Sequence, residues 1–161
     1  MRIEKKRVQK RIIDALGKEL ELYFRAAKAA HAEATHEQSK AENKYDTRGL
    51  EASYLARGQS RQAAELEQSI AYFEKLTLRD FTEQDGIDLT AVVELESKGE
   101  KAFYFLAQRG GGTEVELDKR EMLVITPQSP LGQEMMGKRV GDKVTLQLEG
   151  KKNVYKIVQV F

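Results

Sequence analysis

Residues 13–34 of the chain, IDALGKELELYFRAAKAAHAEA, decide the fold of its amino-terminal half. Apolar side chains recur in this stretch at steps that alternate between three and four residues. A mean step of about 3.5 residues is typical of an α-helix that packs along a partner helix. The positions that form this first seam are Ile13, Leu16, Leu20, Tyr23, Ala27, Ala30 and Ala34.

A second seam follows, and the two together predict an antiparallel coiled-coil hairpin. Residues 35–49, between the seams, are polar and end in Gly49, as expected where a chain reverses, so the tip is placed near residues 39–51. In both helices the seam residues become smaller toward this reversal, which predicts a slender tip and a bulkier base. A helical hairpin inside an ordinary bundle is the alternative. The second seam consists of Ala52, Ala56, Gln59, Ala63, Leu66, Ile70 and Phe73.

Composition excludes several classes of protein and divides the chain in two. The 161 residues include 27 Lys and Arg, 26 Asp and Glu and no Cys, which excludes a disulfide scaffold, a Cys-ligated zinc site and thiol catalysis. Both prolines and nine of the twelve glycines follow residue 80. Because Gly and Pro interrupt regular structure, we predict a hairpin domain over residues 1–79 and a different domain over residues 80–161. No apolar run spans a membrane and no apolar segment follows the basic start, so we expect a cytoplasmic protein.

The second half has the pattern of a small antiparallel β-sheet domain with one short helix. Its apolar and β-branched runs predict four or five strands, over residues 90–96, 101–107, 122–126, 143–149 and 153–160. Ser129, Pro130 and Gly137 mark the beginning and end of a short helix. The predicted fold class is therefore α+β. No residue after position 36 is His, and no phosphate-binding glycine loop or nucleophile motif is present, so no enzyme active site is expected here.

The predicted tip carries acidic residues that allow two interpretations. Ser39 and Glu42 fit a helix capping box, and Asp46 could cap the second helix, so the acids could serve only to end helices. Alternatively, carboxylates on a slender rod could be presented to a hard cation such as Mg²⁺ in a recessed site of a partner. The pair His31 and His36 lies five residues apart without a third ligand, so a metal site built on it is not expected.

The carboxyl-terminal half resembles bacterial Gre-type transcription elongation factors. The resemblance rests on the run ITPQSPLG at residues 125–132, on MGK at 136–138, on VGD at 140–142 and on the closing strand YKIVQV at 155–160. Members of this family place such motifs on an FKBP-like domain behind an amino-terminal coiled-coil hairpin. The predicted hairpin fits this arrangement, so the resemblance extends over nearly the whole chain.

The resemblance implies an accessory factor of RNA polymerase and not an enzyme in its own right. Gre-like factors bind at the rim of the polymerase secondary channel and insert the hairpin toward the active centre. There, acids of the tip help to hold a second Mg²⁺ that the polymerase uses to cleave backtracked RNA. No cofactor of the chain's own is implied, Mg²⁺ would be shared with RNA polymerase, nascent RNA and DNA would be met only through the elongation complex, and a monomer is expected.

The resemblance also selects candidate site residues. The family's tip has an Asp and a Glu three residues apart; Glu51 stands at the Glu position, but Arg48 occupies the position three before it. The candidate acids are therefore Asp46, Glu51 and Glu42. Candidate partner-binding residues are Tyr45, Arg48, Ser129, Pro130, Gly137 and Lys138.

The altered tip leaves other functions open. Related secondary-channel proteins with changed tips inhibit or modulate the polymerase, which makes a modulator without cleavage stimulation the first alternative. A prolyl isomerase is a second, although the chain has no Trp for a pocket floor. A coiled-coil adaptor without a polymerase role is a third.

Overall fold

The structure, a computed structural model, describes residues 2–35, 55 and 57–161. Two long helices precede a six-stranded sheet that carries one short helix, so the predicted α+β class is confirmed. None of the described helices is long and apolar enough to cross a membrane. The elements are α1 (Lys5–Thr35), α2 (Arg57–Lys75), β1 (Val92–Ser97), β2 (Glu100–Leu106), β3 (Glu114–Leu117), β4 (Arg120–Ile125), α3 (Pro130–Met135), β5 (Lys143–Leu148) and β6 (Lys151–Val160).

The buried stripe of α1 differs from the predicted seam at two positions. Ile12 and Phe24 are buried, whereas Ile13 and Tyr23 are only half-buried. The mean step along the observed stripe is about 3.7 residues, close to the period of a straight helix and longer than the 3.5 of a supercoiled one. The prediction was wrong at these sites because it imposed the shorter period. The buried positions are Lys5, Val8, Ile12, Leu16, Leu20, Phe24 and Ala27.

Most of the second seam is confirmed in α2. Ala63 and Phe73 are buried, and Leu66 and Ile70 are half-buried against the cluster formed by Leu20, Phe24 and Ala63, but Gln59 is exposed. The Gln9 side-chain amide donates to the carbonyl of Phe73, and the Tyr23 hydroxyl donates to the side chain of Gln62. The residue that is later in α1, Tyr23, thus contacts the residue that is earlier in α2, Gln62, so the two helices are antiparallel.

The predicted taper of the hairpin is only partly within the described residues. Phe24 of α1 packs near Ala63 of α2, which joins a large side chain to a small one. Ala30 is exposed, contrary to the predicted seam. Ala52 and Ala56 lie outside the described residues, so close packing of alanines toward the tip stays a prediction.

The contacts divide the chain into two compact units. One consists of residues 1–15 together with 72–161, and the other of residues 16–71. The start of α1 and the end of α2 thus belong with the sheet. Arg7 of α1 forms a bidentate ion pair with Asp118, in the turn after β3, with N–O distances of 3.2 and 3.3 Å. The division into a hairpin domain over residues 1–79 and a second domain over residues 80–161 was based on composition, and it stays a prediction.

The sheet has the strand order β3-β4-β2-β1-β6-β5. Every neighbouring pair is antiparallel except β2 and β4, which are parallel, so the sheet is mixed where an antiparallel one was expected. Three two-residue turns with positive φ at both positions close its hairpins, as type I′ turns require. Two of them end in glycine, at Gly99 and Gly150, and these hairpins were predicted. The third, Asp118–Lys119, has no glycine, which explains why the four-residue strand β3 was missed.

Both faces of the sheet are covered. On one face, side chains of β1, β2, β4, β5 and β6 pack with Met135 of α3 in the larger core of the chain. On the other, Val92, Phe105 and Val124 lie side by side across three strands, and the Phe105 ring lies 6.3 Å from the ring of Phe73 at the end of α2. We call residues 5–15 of α1 and 72–75 of α2, which belong to the unit of the sheet, the helical base. The helical base and α3 therefore cover opposite faces of the same sheet.

One carboxylate lies within the second of these faces. Glu94 of β1 is 1% exposed, and its Oε1 accepts no hydrogen bond. The Lys101 ammonium on the neighbouring strand lies 3.3 Å from this oxygen, so the buried charge is compensated by an ion pair. Removing the lysine would leave a buried carboxylate without a cation, which is costly in a protein interior.

The short helix α3 depends on a close backbone approach. The Ser129 hydroxyl donates to the carbonyl of Thr126 and accepts from the Gly132 N–H at 3.1 Å, which caps the helix, and Pro130 follows at its first position. A Cβ on Gly132 would lie 1.9 Å from the Thr126 oxygen and 2.8 Å from the Ser129 hydroxyl. Only glycine fits at position 132, so the conformation of the motif at residues 125–132 is fixed by sterics.

Lys5 joins α1 to two distant parts of its unit. Its ammonium donates to the carbonyls of Arg79 and of Phe161, and lies 4.8 Å from the centre of the Phe81 ring. Burial is the main cause that lowers the pKa of Lys5 from 10.5 to about 8; the charge of Asp80 opposes this shift. The largely buried Lys5 ammonium thus connects α1 to Arg79, in the segment between α2 and β1, and to Phe161, the residue that follows β6.

We predict that the free energy of unfolding rises between about pH 8 and pH 10.5 through Lys5. In that range the unfolded chain keeps the proton that the folded chain has lost, so raising the pH favours the folded state. After allowance for partial contact with water, we expect about 1 kcal/mol. The measurement is urea unfolding at pH 7.5 and pH 10, in which Lys5→Met should lack this increment. Parallel pH profiles of the two proteins would contradict the assignment.

We further predict that Gly132→Ala lowers the free energy of unfolding by about 3 kcal/mol, because the new methyl group overlaps the Thr126 carbonyl. Gly17→Ala is the matched control, since a Cβ on Gly17 meets nothing within 4 Å and alanine favours a helix interior by up to about 1 kcal/mol. Urea midpoints followed by circular dichroism measure both. Equal effects of the two substitutions would show that the close approach is not limiting.

Candidate partner-docking surface

The predicted tip lies outside the described residues. The candidate acids and the two candidate contact residues of the tip therefore stay predictions, as does the choice between helix capping and metal delivery. These residues are Asp46, Glu51, Glu42, Tyr45 and Arg48.

The other four predicted partner-binding residues are described, and they cluster around α3. Pro130 is exposed and Ser129 is half-buried, with its hydroxyl engaged in the cap of α3. Of these two residues, Pro130 therefore has the side chain available to a partner, and Ser129 fixes the direction in which α3 begins.

Gly137 and Lys138 end α3 and attach it to the rest of the unit. Gly137 has φ +81° and its N–H donates to the carbonyl of Ile87, while the Ile87 N–H donates to the carbonyl of Lys138, both at 2.8 Å. The Lys138 ammonium donates to the carbonyl of Lys143 at the start of β5, also at 2.8 Å. The structure thus gives both residues internal roles, and their contact with a partner stays a prediction.

A shallow polar groove of about 530 Å³ lies between α3 and the outer strands β5 and β6. Pro130 forms part of its wall, so the exposed residue of the predicted set borders a concave surface. Glu134 and Lys152 supply one charge of each sign. Sequence reasoning missed the remaining residues, although the alternation along residues 143–148 could have indicated which of them face outward. The groove is lined by Pro130, Gln133, Glu134, Thr145, Leu146, Gln147 and Lys152.

The acidic side chains of the described residues do not gather into a metal centre. Among them there is no cluster of three or more His, Asp or Glu side chains that could hold a metal ion. The hydrogen bond from the Thr82 N–H, with a second from its hydroxyl, lowers the pKa of Asp85, which also forms an ion pair with Arg79 at 3.5 Å. This carboxylate closes the turn over residues 82–85 and is therefore structural.

Comparison with known proteins gives one family match. Residues 82–161, which are 80 of the 161 residues, match the family model described as "Transcription elongation factor, GreA/GreB, C-term". The matched segment contains the whole sheet, α3 and every described residue of the candidate surface. No curated protein matches the chain significantly.

Solved structures of similar sequence were also found. The GreA factor homolog 1 (Gfh1) protein of Thermus thermophilus is 24% identical, with 92% of this chain and 94% of that chain covered and a TM-score of 0.37. Thermus aquaticus Gfh1 is also 24% identical, with 91% and 92% covered and a TM-score of 0.38. The elongation factor GreA/GreB from Nitrosomonas europaea is 16% identical, with 59% and 77% covered and a TM-score of 0.37.

The family assignment rests on the matched segment. The motifs at residues 125–132, 136–138 and 140–142 lie within it, and in the structure they form the cap of α3, the end of α3 and the turn before β5. The domain formed by residues 82–161 therefore belongs to the GreA/GreB carboxyl-terminal family of transcription elongation factors.

Proposed function

We propose that the chain binds RNA polymerase at its secondary channel through the surface around α3 and directs the hairpin tip toward the polymerase active centre. The observation that carries this proposal is the match of residues 82–161 to the GreA/GreB carboxyl-terminal domain, in a chain whose first half forms two antiparallel helices. The groove beside Pro130 supports α3 as the docking side, because it is concave and offers both charged and apolar groups.

The chemistry in this proposal belongs to the polymerase. The described residues contain no metal-binding cluster, and the candidate acids of the chain are those of the tip. Asp46 and Glu51, with Glu42 as a third candidate, would add carboxylate oxygens beside the catalytic Mg²⁺ of the polymerase. A second metal ion held there could activate the water that cleaves the 3′ end of backtracked RNA.

One observation favours a second candidate function. Arg48 stands where the family places an acid three residues before the tip Glu, so the paired carboxylates are altered. A cation at this place would oppose recruitment of a second metal ion. A factor that docks in the same way and modulates the polymerase without stimulating cleavage is therefore the alternative.

We predict that docking and cleavage can be separated by mutation. On stalled, backtracked elongation complexes, Asp46→Ala and Glu51→Ala should reduce transcript cleavage at least tenfold and leave polymerase affinity within twofold. Lys152→Glu should weaken affinity by about three- to tenfold, because it reverses one of the two charges of the groove. Lys119→Glu is the matched control, since it makes the same change of charge at an exposed residue in the turn between β3 and β4, outside the groove.

Each outcome discriminates between the candidates. A native chain that competes with a cleavage factor for the polymerase and yields no shortened RNA would establish the modulator. Loss of activity in Glu42→Ala alone would show that the other two acids are not the functional ones. Absence of any polymerase binding would overturn both candidate functions.

A further inference from the structure

A second concave surface lies over strands β2, β4 and β3, toward the edge of the sheet opposite to β5. It is a groove of about 340 Å³. Its floor includes Ala102, Tyr104 and Leu123, all of them half-buried, and its rim carries Glu114, Glu116 and Glu121, all exposed. None of these residues belongs to the docking surface around α3, so the groove requires an explanation of its own.

The strand register places the acids of this region on one face. Glu114 is paired with Leu123, Glu116 with Glu121, and Tyr104 with Leu123, so all five side chains share a face. By the same alternation, the basic residues of these strands, Lys101 and Arg120, lie on the other face. There Lys101 pairs with Glu94, and Arg120 lies 5.9 Å from the ring centre of Phe103.

The acids of the rim are arranged unfavourably for the isolated chain. Glu116 and Glu121 are directly opposite each other on neighbouring strands, and like charges in this position repel. Neither residue forms an ion pair in the part of the chain that the structure describes. A cationic group placed between them would relieve the repulsion.

The floor adds an apolar requirement. Tyr104 and Leu123 pack against the core from its edge and remain partly open to water. Burial raises the pKa of Tyr104, and the nearby Tyr155 adds to this shift, so the phenol is neutral at physiological pH. The groove thus combines a neutral, largely apolar floor with a negatively charged rim.

We infer that this groove docks a cationic, amphipathic segment of a protein partner, with an apolar side chain on Tyr104 and Leu123 and Lys or Arg side chains against Glu116 and Glu121. Charge complementarity selects this occupant, because an acidic segment would add to the repulsion and a purely polar cationic segment would leave the floor exposed. The inference does not depend on the proposed polymerase function, which concerns the surface around α3 and the hairpin tip.

The test uses three fluorescein-labelled peptides of equal length and the full chain. One peptide alternates Lys and Leu, the second alternates Glu and Leu, and the third alternates Lys and Ser. Fluorescence anisotropy should show saturable binding of the Lys/Leu peptide alone, weakening as salt is raised. Amide chemical shifts should move at Ala102, Tyr104 and Leu123. Binding of the other two peptides with equal affinity, or no saturable binding at all, would overturn the inference.

Paired charge reversals give the matched comparison. Glu116→Lys with Glu121→Lys should weaken binding of the Lys/Leu peptide at least tenfold, and because the new pair is again like-charged, the fold should be disturbed little. Glu83→Lys with Glu149→Lys changes the net charge equally outside the groove and should alter affinity less than twofold. If both double variants lost peptide affinity equally, net charge alone would explain the loss, and the inference would be overturned. Self-association of the native chain that the first double variant abolishes would make a second copy the occupant and overturn the inference.

Discussion

The register of the central strands is the constraint on which the rest of this structure depends. Val92, Phe105 and Val124 lie side by side on one face, and Val93, Tyr104 and Leu123 on the other, because β2 pairs antiparallel with β1 and parallel with β4. A slip of one residue would exchange the two faces of a strand. It would turn Phe105 away from Phe73, remove the apolar side chains that pack with Met135 and move the acidic rim to the other face of the sheet. The helical base, α3 and both grooves therefore share one determinant.

The two faces serve different purposes. The face that meets Phe73 also holds Glu94 with Lys101, and the base of α1 is attached to the same unit through Lys5 and Arg7. The face that meets α3 carries the larger core and the groove over β2, β4 and β3, whereas the groove beside Pro130 lies across the edge strand β5. In this arrangement one face of the sheet anchors the two long helices, and concave surfaces at the two edges of the sheet are available to partners. The described residues thus supply two concave surfaces suited to binding.

The sequence predicts the parts of this fold in which local chemistry and tertiary packing agree. Helical periodicity revealed both long helices, glycines revealed two of the three hairpins, and Ser129 with Pro130 revealed α3. It failed where the decisive contact is distant in sequence. The parallel pairing of β2 with β4 has no local signal, and the turn at Asp118 lacks the glycine that would have marked β3. The two wrong seam positions in α1, Ile13 and Tyr23, followed from a period of 3.5 applied to a straighter helix.

The candidate sites were predicted less completely than the fold. The family motifs pointed to α3, but the structure shows that Ser129, Gly137 and Lys138 engage in internal hydrogen bonds, so a motif residue can owe its identity to the fold alone. The acidic groove was not predicted, because its residues come from three strands whose pairing was unknown. The tip acids depend on the family resemblance and on their position in the sequence.

We propose that the hairpin tip of this chain reaches the active centre of RNA polymerase. The most direct measurement replaces Tyr45 with the photo-crosslinking residue p-benzoylphenylalanine, binds the full chain to a stalled elongation complex and maps the crosslinked polymerase peptide. We expect a crosslink to polymerase residues that line the secondary channel near the catalytic Mg²⁺. A crosslink confined to the outer surface of the polymerase, or none in a complex that is demonstrably bound, would contradict it.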